Sequence, residues 1–289
     1  MNRQPYSRSL AVPRPQPTRL LFTALFLLTW LLATACGAET ASADAESTTP
    51  EPAQEEAMTS PIIIELFTSQ GCSSCPPADR LLARLEADPK LKDRVLPLAF
   101  HVDYWNSIGW QDPFSSELWS RRQERYAQSL ATGRLYTPQL VVAGRDHCVG
   151  SRESQVRGLI EDELARPSAA TVRIQSLNRG EATVSVTAAA ELQGSVDGPQ
   201  ELMVALVESG LSTQVQSGEN AHRTLENERV VRRLESVARL DPSSATSVQG
   251  TAEFSLDPSW DPQELEVVAF LQDRNEMVIH GATEGKVLR

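Results

Sequence analysis

The chain has 289 residues, 40% of them hydrophobic and 22% charged, enough apolar material for one large domain or two ordinary ones and too much for disorder throughout. Its formal net charge is -11. An acidic chain is ill suited to sequence-independent nucleic-acid binding, which rests on neutralising phosphates with Lys and Arg.

Residues 1–35 read as an export signal. Arg3, Arg8, Arg14 and Arg19 precede the apolar run Leu20 to Leu32, and Ala33, Thr34 and Ala35 are small residues ahead of Cys36. The run is short for a spanning helix, which needs roughly 20 apolar residues. LLATAC resembles a bacterial lipobox, in which the cysteine after the cut is lipidated, although Ala33 stands where that motif usually has Leu. Cleavage by an ordinary signal peptidase near the same residues is the competing reading. Residues 36–60 carry six acids, no bases and almost no large apolar side chains. Such a segment cannot bury enough surface to fold. It reads as a tether of roughly 25–30 Å span between a membrane anchor at Cys36 and the folded part of the chain.

Ordered structure is expected from residue 61. Ile62, Ile63 and Ile64 suit a strand buried on both faces. Leu81, Leu82 and Leu85 recur at helical spacing between charged residues. Val95 to Val102 reads as a second strand. Residues 112–130 read as a helix with Asp112 as N-cap and Pro113 in its first turn. Leu140 to Val142 and His147 to Val149 read as short strands about a turn, and Ser151 is placed to cap a last helix running to about Ala165. The order β-α-β-α-β-β-α predicts an α/β domain with a mixed sheet over 61–167. From 168 to 289 the pattern becomes that of a smaller, β-rich, antiparallel, sandwich-like domain. One segment is ambiguous. Val230, Val231, Leu234, Val237 and Leu240 follow mostly helical spacing, so 230–240 reads as either a helix or a twisted strand pair.

The chemistry concentrates in FTSQGCSSCPP, residues 67–77. Cys72 and Cys75 stand between a strand end and a helix start, where unpaired backbone N–H groups and the helix dipole favour a thiolate. Pro76 and Pro77 have no N–H, which leaves the amides of Ser73, Ser74 and Cys75 as donors to the Cys72 sulfur. Glu65 and Asp79 oppose a thiolate there, with Asp79 expected on the solvent side. The pair has three readings. As an inert bridge it stabilises little, because the closed loop is very short. As a metal site it needs further ligands, whereas Cys148, His101, His147, His222 and His280 are scattered; no metal and no cofactor are assigned. As a redox couple, Cys72 attacks and Cys75 resolves. Cys148 reads as a buried, inert thiol. Tyr104, Trp105, Trp110, Phe114 and Trp119 cluster in sequence and suit either core packing or a substrate groove.

Several stretches together resemble the thioredoxin fold and, more closely, DUF1223, a thioredoxin-like bacterial family of unknown function. They are ELFTSQGCSSCPPAD (65–79), LAFHVDYW (98–105), GWQDPF (109–114), YTPQLVVAGR (136–145), VGS (149–151) and, more loosely, GENAHRTL (218–225). The resemblance implies a cis-proline at Pro138 facing the cysteines, with Thr137 offering an edge to a substrate chain. His101 and Asp103, at a strand's C-terminal end, become candidate substrate-binding neighbours of the pair. Gly71 and the Ser73–Ser74 dipeptide depart from thioredoxin, whose pair follows Trp and encloses Gly-Pro. The family name carries no established reaction, so the function expected is argued from the cysteine site: thiol–disulfide exchange with protein or small-molecule thiols and disulfides outside the cytoplasm. The alternative is a cell-envelope metal-delivery or non-catalytic binding module on the same scaffold.

Overall fold

The computed structural model describes residues 60–287. The expected export signal, the lipidation site Cys36 and almost all of the acidic tether lie outside the described residues.

The first half follows the predicted order. β1 (Ile62–Thr68) leads through the cysteine loop into α1 (Pro76–Glu86), then β2 (Val95–His101), α2 (Glu117–Ser129), β3 (Gln139–Val142), β4 (Asp146–Val149) and α3 (Glu153–Leu164). Two helix starts differ from the sequence expectation. Ser116, not Asp112, caps α2, its hydroxyl accepting from the Leu118 N–H at 3.2 Å. Asp112 is instead buried four residues upstream, so Pro113 lies before the helix and not in its first turn. At α3 the N-cap position is Arg152, without a side-chain cap, in place of Ser151.

Beyond Pro167 come β5 (Ala170–Arg179), β6 (Thr183–Leu192), β7 (Gln200–Glu208), β8 (Leu211–Gln214), β9 (Thr224–Asn227), β10 (Val230–Leu240), β11 (Ser247–Ser255), β12 (Leu265–Asp273) and β13 (Ile279–Lys286). The ambiguous 230–240 segment is thus a strand. Its pairing with β7 slips between Val231 and Arg233 and again between Ser236 and Ala238. Each bulge inserts a residue and breaks the two-residue alternation, which is why the apolar positions imitate helical spacing.

The main sheet has eight strands in the order β13-β12-β7-β10-β2-β1-β3-β4, so strands from both sides of residue 167 share it. β1 and β2 run parallel, and β3 lies antiparallel on the other side of β1. β10 joins the halves, antiparallel to β7 along its length and parallel to β2 at the Val230–Ala99 pair. α2 covers one face, packing Trp119 and Tyr126 on Phe67, Leu98 and Phe100. The opposite face carries α1 and α3 on Ile64 and Leu66 at one end, and the three-stranded sheet β11-β6-β5 on Leu202, Val204 and Leu206 at the other. Alternate residues of one strand therefore enter different cores, as the pleat requires. Among the described residues, no helix is long and apolar enough to cross a membrane.

Candidate functional site

β1 and β2 end side by side, with Thr68 opposite His101. The chain leaves β1 through Ser69, Gln70 and Gly71 and enters α1 at Cys75, its N-cap residue. Pro76 and Pro77 open the helix because the first helical positions need no intrahelical N–H bond. Gly71 stands where a Cβ would lie 3.2 Å from the Trp105 Cβ, a close approach that leaves little space for a side chain.

Cys72 and Cys75 are joined by a disulfide, and both residues are 0% exposed. Two hydroxyls reach the Cys72 sulfur: Thr137 Oγ1 donates to it at 3.3 Å, and Ser74 Oγ lies 3.3 Å away. The Thr137–Pro138 peptide is cis. Two of the three backbone donors expected at the sulfur are otherwise engaged in this disulfide state. The Ser73 N–H donates to Glu219 Oε2 at 3.0 Å, and the Cys75 N–H to the Cys72 carbonyl at 3.2 Å.

Behind the loop lies a buried set of titratable groups. His101 Nδ1 and Asp112 Oδ2 are 2.7 Å apart, and both side chains are fully buried. Burial alone disfavours both charges, but their pairing, with Asp79 acting on the imidazole and two backbone N–H groups on the carboxylate, outweighs that penalty: the imidazole pKa is raised and the Asp112 carboxyl is held below the usual carboxylate range. Asp112 also accepts from the Gln70 and Phe114 N–H groups at 2.8 and 2.9 Å. Among the described residues, His101 Nε2 has no hydrogen-bond partner. Asp79 is not turned to solvent as expected. It is half-buried and accepts from the Thr68 hydroxyl at 2.7 Å, and desolvation pushes its carboxyl up to about 6 against the pull of His101. Glu65 does not act on the pair as a free acid either. It forms a buried ion pair with Arg122 at 2.6 Å and accepts from Tyr126.

The candidate residues therefore separate by position. Cys72, Cys75, Thr137 and Pro138 converge, whereas His101 lies beneath them with no exposed surface. Asp103 is half-buried, its Oδ1 accepting from the Ser120 hydroxyl and its N–H donating to that same hydroxyl at 3.2 Å. Cys148 is buried in β4, and desolvation pushes its thiol up to about 11. The aromatic cluster divides: Trp119 enters the core against Phe100, while the indole N–H groups of Trp105 and Trp110 donate to Thr137 Oγ1 and Gln70 Oε1 beside the pair. Among the described residues, no group of three or more His, Cys, Asp or Glu is arranged to hold a metal ion.

Sequence reasoning missed Gln70, and it read Asn220, with Glu219, only as part of a Gly-flanked turn packing on the first half of the chain, with no chemical role. Gln70 is 1% exposed, and its groups meet Asp112, Asn227, Trp110 and Asn220. Asn220, also 1% exposed, donates through Nδ2 to the carbonyls of Gln70 and Cys72 at 2.9 and 3.0 Å. These contacts span about 150 residues of chain, and the short GEN segment does not by itself name its partner residues.

Fold and site define a mixed α/β protein with a disulfide sealed at the start of a helix, next to a cis-proline. The chain belongs to the family described as protein of unknown function DUF1223, whose profile matches residues 63–272. It is similar to a structural-genomics crystal structure of a protein from Agrobacterium tumefaciens, with 25% identity, a TM-score of 0.58, and coverage of 78% of this chain and 94% of that one. HBP35 of Porphyromonas gingivalis shares the fold, with 17% identity, a TM-score of 0.55, and coverage of 79% and 76% respectively. No functionally curated protein matches the chain.

Proposed function

We propose that this protein is an exported, thioredoxin-like thiol–disulfide oxidoreductase. The observation that carries the reading is the convergence of Thr137 on the Cys72–Cys75 disulfide at the start of α1, its hydroxyl donating to the Cys72 sulfur at 3.3 Å. A donor aimed at that atom favours a thiolate there, and a thiolate is the attacking species in disulfide exchange.

In the reducing direction, the Cys72 thiolate attacks one sulfur of a partner disulfide. The Cys72–partner bond forms and the partner's other sulfur leaves as thiolate. Cys75, giving up its proton, then attacks the Cys72 sulfur and expels the second partner thiolate. The intramolecular disulfide is restored and two electrons pass to the partner. The same steps in reverse oxidise a partner dithiol. In this reading Thr137 and Pro138 form the edge on which a partner chain or small thiol docks. His101 supports the loop from below, through Asp112 and Gln70, and Asp103 lies at the rim with Ser120.

Trapping tests the reading. Cys75→Ser arrests exchange at the mixed disulfide, so the variant should accumulate disulfide-linked partners that vanish when Cys72 is also replaced. Absence of such species, together with stoichiometric zinc or copper binding by the reduced protein, would replace exchange with a metal-delivery function.

Export and tethering through Cys36 belong to the same proposal. They rest on the order of basic, apolar and small residues before Cys36 and the acidic stretch after it. Mass spectrometry of the mature N-terminus should find a diacylglycerol-modified Cys36. An unmodified terminus at another cut removes the lipid and leaves export.

A further inference from the structure

A segment distant in sequence lies against the loop that carries the buried disulfide. Residues 215–223 link β8 to β9, a two-stranded ladder of four residue pairs separate from the main sheet. Their tip lies over the cysteine loop. Ser217 donates its hydroxyl to the Gly109 carbonyl, Glu219 accepts from Ser73 N–H, and Asn220 holds the Gln70 and Cys72 carbonyls. Gly109 and Gly218, at φ of 99° and 77°, meet back to back: a Cβ on Gly109 would lie 3.4 Å from the Gly218 Cα. Two glycines thus allow the strap to press on the turn before Trp110. A ladder this short is marginal by itself; Val215 extends it by bonds with Arg223 and His222, and β9 is held through Asn227 on Gln70, so the contacts of the tip add to an anchored base.

The tip binds backbone groups that flank a sulfur whose charge changes with redox state. In the disulfide the Cys72 sulfur is neutral, and Ser73 N–H, an unpaired donor just before α1, serves the Glu219 carboxylate. Reduction by a dithiol moves two electrons onto the pair. The Cys72–Cys75 bond breaks, Cys75 takes up a proton, Cys72 becomes a thiolate, and the donor is oxidised to its own disulfide. Two anions then lie at one helix start and compete for the same donors. Asn220 holds the Cys72 carbonyl itself, so movement of the reduced cysteine loop is felt there as well.

We propose that Glu219 and Asn220 form a redox-operated latch, closed on the disulfide and released by its reduction, so that the reduced pair is the form open to partners. The inference rests on the reading that the pair is redox-active. It makes Glu219 a positioning residue: coupling is reciprocal, so a carboxylate displaced by the thiolate must disfavour the thiolate to the same degree.

Hydrogen exchange on the full-length protein tests the latch, comparing the oxidised form with protein reduced by dithiothreitol and verified as reduced by the mass of its alkylated cysteines. Amides of 215–223 should exchange on the order of tenfold faster after reduction, while β1 and β7 stay protected. In Glu219→Gln, which keeps the shape and removes the charge, that redox difference should shrink, and the disulfide should be reduced faster. Unchanged exchange of 215–223 in protein shown to be reduced would overturn the latch and leave the oxidoreductase reading standing. An undiminished redox difference in Glu219→Gln would also overturn it. A disulfide that dithiothreitol cannot reduce in the folded protein would overturn both.

Discussion

The indole N–H of Trp105 donates to the Thr137 hydroxyl at 2.8 Å, and this fixes where the hydroxyl's own proton goes. An indole N–H can only donate, so Thr137 must accept there and is free to donate to Cys72, 3.3 Å away. Thr137→Val should therefore raise the Cys72 thiol pKa, because the thiolate loses a hydrogen bond that the neutral thiol needs less. Trp105→Phe should raise it less, because the hydroxyl survives but is no longer oriented. Combining the two should add little to Thr137→Val alone. Alkylation rate against pH, in reduced protein lacking Cys75 and Cys148, measures each midpoint. Equal midpoints in all variants would remove Thr137 from the account of the thiolate.

The His101–Asp112 pair predicts a window of pH. The raised His101 pKa means that its share of stability is complete below the unfolded value of about 6.5 and is lost as pH rises through the folded value. The lowered Asp112 pKa means that its share is complete above the unfolded value of about 3.9 and is lost as pH falls through the folded value. The destabilisation caused by Asp112→Asn should be greatest between about pH 4 and 6.5 and shrink on either side. The His101 ring should titrate lower in the variant, since burial then acts with less opposition. Urea unfolding across pH and NMR of the imidazole protons report the two effects.

Asp79 carries the opposite sign. Its folded pKa, near 6, exceeds the unfolded value, so the fold favours the protonated acid and loses stability as pH rises from about 4 through 6. Asp79→Asn keeps an oxygen for the Thr68 hydroxyl and removes the charge. It should stabilise the protein by about 1–2 kcal/mol near pH 8, discounted for partial exposure, and by little below about pH 4. A loss of stability near pH 8 would mean that the carboxylate is better solvated than its contacts indicate.

Arg122 binds Glu65 through two nitrogens at 2.6 and 2.8 Å and reaches Gln272 at 3.1 Å, linking α2 to β1 and β12. Arg122→Met leaves the Glu65 carboxylate buried without its cation and should cost about 3–5 kcal/mol. The double variant with Glu65→Gln should recover part of that loss. Denaturant midpoints decide it: a double variant no better than the single would place the cost in lost packing on Phe100 and Tyr126.

Much of this was legible locally. The isoleucines of β1, the leucines of α1 and the proline pair after Cys75 each announce their element, because burial periodicity and missing N–H groups act over a few residues. Thr137–Pro138 was legible through the resemblance. The misreadings have long-range causes. Asp112 has the sequence context of a helix cap, but a buried imidazole is the partner it meets. Asp79 occupies the exposed-looking first turn of α1, yet Thr68 draws its carboxyl inward. β10 hid its strand character because two bulges shift its register. The Glu219–Asn220 strap was legible as a stretch of the resemblance, GENAHRTL, but not in its contacts, since Ser73, Gln70 and Cys72 lie about 150 residues away.

The course of β10 bears on how such a protein can be cut and recombined. A fragment stopping at residue 167 retains both cysteines, Thr137 and Pro138, but it leaves the β2 edge bare at Ala99 and the Pro97 carbonyl without Arg229. It also takes the Asn220 amide away from the Cys72 carbonyl and Gln272 away from Arg122. Grafting the cysteine half onto another scaffold would therefore transplant the sulfur chemistry without its enclosure. For engineering, the transferable unit is the sheet from β4 to β13, and the natural insertion points are exposed bends outside the strands, such as Gly194 between β6 and β7.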